Sequence, residues 1–142
     1  MTTRNEVFLD TSFAVALVLR QDEYHTSATQ LGRQLRMERR HIVTTDAVVL
    51  ELGNALARNP FRPLVIRLID RLRNDPMFSI VALEDRIMNA GHELFVQHAD
   101  KSWTLVDCIS FVVMRERGIT DSLTADRHFQ QAGFRALLLE DS

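Results

Sequence analysis

Four acidic residues, Asp10, Glu51, Asp107 and Asp126, come from four separated and largely apolar segments of the 142-residue chain. Each has a structural explanation on its own. Asp10 and Asp126 can cap the helices that follow them, and Asp107, three residues after Thr104, fits a capping box. Glu51 is harder to place, because it stands between Leu50 and Leu52. A desolvated carboxylate there costs several kcal/mol unless Arg58 or a bound cation compensates it.

Taken together, the four acids suggest one site. Carboxylates held within a few ångströms repel each other and need a multivalent cation at neutral pH. An oxygen-only donor set selects a hard ion, Mg2+ or Mn2+. The five His show no HExxH spacing and the single Cys108 cannot build a thiolate site, which argues against zinc. A cation so held suits phosphodiester hydrolysis, alone or with a second ion about 3.5–4 Å away. The expected division of labour has Asp10 and Asp126 on the cation and Asp107 on the cation or its water. Glu51 would orient or deprotonate the attacking water.

The elements that must position these acids follow from pattern. Val7 to Leu9 reads as a buried strand ending at Asp10, followed by helices over Phe13–Leu19 and His25–Arg40. Ile42 to Thr44 is a second strand, with Thr44 or Thr45 capping a helix that carries Glu51. A helix over Arg62–Arg73 stops before Pro76, Phe78–Leu83 is a third strand, and Glu84–His98 is helical. Thr104 opens a helix with Asp107 in its first turn and Gly118 at its end. Ile119–Thr124 is a fourth strand, Arg127–Ala132 a short helix, and Phe134–Leu139 a fifth strand. Strands alternating with helices give an α/β fold with a mainly parallel central sheet covered on both faces. Asp10 and Asp126 then follow strands directly, where ligands of such sheets bind.

The length suits one domain over residues 1–142 that needs no disulfide. Without a signal sequence or membrane-length apolar run, the expected location is cytoplasmic, in keeping with one unpaired cysteine. The net charge of −2 does not mark a nucleic-acid binder as a strongly basic domain would. Sixteen of the seventeen basic residues are nonetheless Arg, the better bidentate partner for phosphate.

Four blocks carry a family resemblance: VFLDTSFAVAL around Asp10, VLELGNAL around Glu51, DKSWTLVDCISFVVMRERGI around Asp107 and LTADRHFQQAGF around Asp126. In order and approximate spacing they resemble a PIN domain of the kind found in VapC-type toxins of bacterial toxin–antitoxin pairs, across nearly the whole chain. The resemblance implies a three-layer α/β/α sandwich, four acids binding Mg2+ or Mn2+, endoribonuclease activity on structured RNA, a homodimer, and a small cognate antitoxin that blocks the site. Val106 departs from the hydroxyl residue that relatives often carry beside the third acid. Thr11, Ser12 and Ser110 stand where the family often has small hydroxyl residues, and capping explains Thr11 or Ser12 equally well.

Several residues compete for these roles. Asp121 also flanks the fourth strand but should lie at its amino-terminal side, which favours Asp126. Arg33, Arg36 and Arg40 form one stripe and Arg67 with Arg71 another, either touching RNA phosphates or facing solvent. Trp103 and Phe129 could stack on a base or pack in the core. A receiver domain would need paired acids after the first strand and a late Lys, and a haloacid-dehalogenase-like phosphatase would need an Asp where Ser12 stands. The alternative of another kind is a non-catalytic PIN-fold module for RNA binding or assembly.

Overall fold

Strands and helices alternate through the computed structural model, which describes residues 5–140. In order they are β1 Glu6–Leu9, α1 Thr11–Val18, α2 His25–Met37, β2 His41–Thr45, α3 Asp46–Ala55, α4 Arg62–Asn74, β3 Phe78–Val81, α5 Asp85–Gln97, α6 Leu105–Arg117, β4 Asp121–Leu123, α7 Arg127–Gln131 and β5 Arg135–Ala136. A 3-10 turn, Leu137–Leu139, follows. The five strands form one parallel sheet in the order β3-β2-β1-β4-β5.

Side chains of a strand alternate between faces, and here both faces are covered. Val7, Leu9 and Ile42 pack with Phe13 of α1, Leu35 of α2 and Val65 and Leu72 of α4. Phe8 and Val43 point the other way and meet Ile87 of α5, Ile109 and Phe111 of α6, and Phe129 of α7. The parallel sheet covered on both faces is the one expected from the alternation of elements, and the three layers are those the family resemblance implies. Helix α3 and its C-cap serve both cores, giving Leu52 and the cap residue Leu56 to the first and Ala47 and Val48 to the second.

Local signals set several boundaries. Thr45 caps α3 by accepting from the Val48 amide at 3.2 Å. Thr104 and Asp107 form the reciprocal capping box of α6, which Gly118 closes in a left-handed conformation (φ 68°) that glycine adopts without a Cβ clash.

Other boundaries differ from expectation. Helix α2 stops at Met37 and Arg39 turns with φ 54°, so Arg40 leaves the stripe of Arg33 and Arg36. Its guanidinium instead meets Asp121 at 3.1 Å and the Glu6 carbonyl at 3.4 Å, at the strands' amino-terminal edge. The third strand ends at Val81 rather than Leu83. The fourth is shorter than Ile119–Thr124, because the Ile119 amide closes α6 by donating to the Met114 carbonyl. The fifth strand spans two residues rather than six. The Leu138 amide turns back to the Thr124 carbonyl at 3.1 Å and the Leu137–Leu139 turn packs inward, a choice that a short apolar run leaves open.

Candidate active site

The order of the strands decides where the acids meet. The chain builds outward from β1 through β2 to β3, then crosses to add β4 and β5 on the opposite side of β1. Beyond the carboxyl ends of β1 and β4 lies the switch point at which parallel sheets bind ligands. Leu9 is in register with Leu123, and the Asp10 amide donates to the Leu123 carbonyl at 3.2 Å. Asp10 and Thr124 thus leave the sheet side by side.

Asp10 is buried, with 5% of its surface exposed. Its Oδ2 accepts from the Thr124 hydroxyl at 2.7 Å and from the Ser12 hydroxyl at 3.1 Å. The same hydroxyls hold the opposite loop: the Asp126 amide donates to Thr124 Oγ1 and the Ala125 amide to Ser12 Oγ, both at 3.0 Å. Burial pushes the Asp10 carboxyl from 3.8 up to about 6, and the negative Asp107 adds to the rise, while the Thr124, Ser12 and Thr11 hydrogen bonds oppose it. Two acids from opposite ends of the chain therefore share one low-dielectric region, a strain that a cation would relieve.

Asp107 enters from the first turn of α6. Its Oδ2 accepts from the Thr104 amide at 3.0 Å and from the ring Nδ1 of His128 at 2.8 Å. Asp126 caps α7, its Oδ1 accepting from the His128 amide at 2.8 Å and lying 3.3 Å from His128 Nδ1. One ligand atom each from Asp107, Asp126 and His128 lies within 4.8 Å of the others. Asp10 and Glu51 lie outside this tightest group.

Glu51, half-buried on α3, is tied to the site through the Thr11 hydroxyl, which donates to its Oε1. Thr11 and Ser12 thus each touch one of the four acids. Ser110 does not: its hydroxyl donates to the Val106 carbonyl within α6 at 2.9 Å. Trp103 and Phe129 are buried and pack edge-on against Phe111, so neither presents a face for a base. Asp121, at the amino-terminal start of β4, pairs with Arg40 and Arg135 at the far edge of the sheet. Arg36 and Arg71 share Asp75, and Arg71 also covers the Phe78 ring.

Thr124 and His128 belong to the site although the sequence did not single them out. Their spacing carried a weak signal, since hydroxyl and imidazole stand two residues before and after Asp126, where side chains serve a turn and a helix start.

The donor set fits a hard cation. Among the described residues every buried side-chain nitrogen and oxygen has a hydrogen-bond partner. Asp107 Oδ1 accepts none of the described bonds, so it reaches solvent. The side chain of Asp126 is 35% exposed, with Oδ2 equally unengaged. Protein donors thus occupy one oxygen of Asp107 and one of Asp126 and leave the other of each without a protein partner, a donor set that suits Mg2+ or Mn2+.

The PIN domain matches residues 7–135. The chain is 30% identical over 129 residues, 90% of its length and 95% of the relative's, to the 23S rRNA-specific endonuclease VapC20 of Mycobacterium tuberculosis. The crystal structure of VapC20, described as a Sarcin-Ricin loop cleaving toxin, superposes with a TM-score of 0.82 at 26% identity, covering 91% of this chain and 96% of that one. FitAcB from Neisseria gonorrhoeae shares the fold, with a TM-score of 0.64 at 17% identity over 92% of this chain and 95% of its own. A match that begins in the first strand and ends in the last makes the chain a member of the PIN-domain family.

Proposed function

We propose that the protein is an Mg2+- or Mn2+-dependent endoribonuclease, the toxin of a type II toxin–antitoxin pair. It would hydrolyse a structured RNA such as the ribosomal loop for which its relative is named. The observation that carries this reading is the group of ligand atoms on Asp107 and Asp126, within 4.8 Å of each other, at the switch point beside a buried Asp10. A lone buried acid would cap a helix. Asp107 and Asp126 also cap helices, but caps alone do not require charged residues to crowd beside a buried Asp10.

In this reading Asp10, Asp107 and Asp126 hold the cation. When bound, it offsets the negative charge that builds on the scissile phosphate. Thr124 and Ser12 keep Asp10 facing the site and fasten the Asp126 loop to β1. Glu51, steadied by Thr11, orients the attacking water and takes its proton. Ser110 serves α6 rather than the reaction. A cognate antitoxin would cover this edge of the sheet, and the toxin would act as a homodimer in the cytoplasm. Among the described residues no helix is long and apolar enough to cross a membrane.

The test is cleavage of total RNA and of intact ribosomes by protein freed of any co-purified partner, with Mg2+, Mn2+ or EDTA. An Asp10→Ala, Asp126→Ala double variant, checked to be folded, runs beside it. Cutting should require the cation and vanish in the variant. RNA binding by both proteins, with no cutting under any divalent ion, would make the chain a non-catalytic binding module instead.

A further inference from the structure

His128 is the least explained residue at the site. Its side chain is 24% exposed, so it is not core filling. Its amide and ring make three contacts to two acids that belong to different elements, with the ring Nδ1 2.8 Å from Asp107 Oδ2 and 3.3 Å from Asp126 Oδ1. The backbone amide holds Asp126, which caps α7, and the ring reaches across to Asp107 in the first turn of α6. We propose that His128 is a positioning residue, whose two N–H groups clamp Asp107 and Asp126 so that one oxygen of each stays open toward the cation. The inference rests on the metal site proposed above.

The hydrogen-bond directions support a clamp rather than a ligand. Asp107 Oδ2 lies 3.0 Å from the Thr104 amide, a fixed donor that belongs to the capping box. A carboxylate oxygen accepts, so the ring nitrogen 2.8 Å away donates to it and carries its hydrogen on Nδ1. That nitrogen then has no lone pair to offer a metal. Hard cations also favour the oxygens that these contacts leave open. With the clamp gone, Asp107 keeps only the Thr104 amide, and two carboxylates crowded at one site would swing apart under their own repulsion. The geometry depends on the D-x-H spacing: the Asp126 cap sets the backbone of α7, and that backbone aims the ring at α6.

Mn2+ binding in the absence of RNA, followed by the electron paramagnetic resonance of the free ion, separates these roles in wild type, His128→Ala, His128→Gln and His128→Asn. An asparagine amide falls near Nδ1 and a glutamine amide near Nε2, so only His128→Asn restores the donor. Loss of a partner that orients a metal-binding carboxylate weakens affinity about 10- to 100-fold, which is the expected result for the Ala and Gln variants. His128→Asn should stay within a few-fold of wild type. An Ala variant that binds as tightly as wild type, or an Asn variant as weak as Ala, overturns the clamp. Absence of Mn2+ binding by wild type overturns the nuclease reading and the proposal with it, whereas wild-type binding with an indifferent Ala variant removes the proposal alone. A measurement free of both metal and mutation is the 15N spectrum of the ring in metal-free wild type. The neutral imidazole should carry its hydrogen on Nδ1, and an Nε2–H tautomer overturns the proposal.

Discussion

Replacing Asp10 with Asn should stabilise the cation-free protein at neutral pH and leave it the less stable of the two once Mn2+ is present. Burial raises the Asp10 carboxyl from 3.8 to about 6. A raised acid favours the folded state while protonated, so its contribution is fully present below 3.8 and is lost as pH rises through about 6. At 1.36 kcal/mol per unit, the loss at neutral pH is about 3 kcal/mol. Asparagine carries no charge and escapes it. Because Thr124 and Ser12 both donate to Oδ2, the asparagine oxygen can take both bonds. An amide nitrogen, unlike a carboxyl oxygen, accepts no bond from the Thr11 amide, a pH-independent cost of about 1 kcal/mol. The variant should therefore exceed wild type by about 2 kcal/mol in EDTA at neutral pH. With Mn2+ at about 100 times its Kd, wild type alone gains about 2.7 kcal/mol and the order reverses. Urea denaturation of both proteins across the acid-to-neutral range, with and without Mn2+, measures each quantity. A stability difference that stays constant between about pH 4 and about pH 7 in EDTA would refute the reasoning, because the pH-dependent part belongs to the Asp10 charge.

Further substitutions probe the frame of the site. Thr124→Val removes the 2.7 Å donor to Asp10 and the acceptor of the Asp126 amide. It should cost about 1–3 kcal/mol in urea denaturation and weaken Mn2+ binding. Thr11→Val keeps the shape of the side chain but frees Glu51, so cleavage should fall about 10- to 100-fold while the urea midpoint moves little. At the crossing of α5 and α6, a Cβ added at Gly91 would lie 2.6 Å from Ile109 Cγ1 and 3.2 Å from Ile109 Cα. Gly91→Ala should destabilise the fold by about 1–3 kcal/mol, seen as a Tm several degrees lower.

What the sequence by itself determined lies within a few residues of each signal. Thr104, Asp107 and Gly118 bound α6 through hydrogen bonds and a backbone angle that are local to it. The continuous apolar run Val7 to Leu9 placed β1, and an acid directly after it was bound to emerge at the sheet's carboxyl edge. Beyond that range the tertiary structure decided. The apolar run Leu137 to Leu139 was compatible with a strand, and only the Thr124 carbonyl, reached by the Leu138 amide, turned it inward. Arg40 continued a helical stripe on paper, yet Asp121 holds it at the opposite edge of the sheet. Thr124 touches Asp10 across 114 residues, and His128 touches Asp107 across 21. Neither pairing has a local pattern, because both depend on β4 docking beside β1 rather than beyond β3. That choice of neighbour is made by burial of whole faces, and it brings the acids, the hydroxyls and the imidazole to a single point.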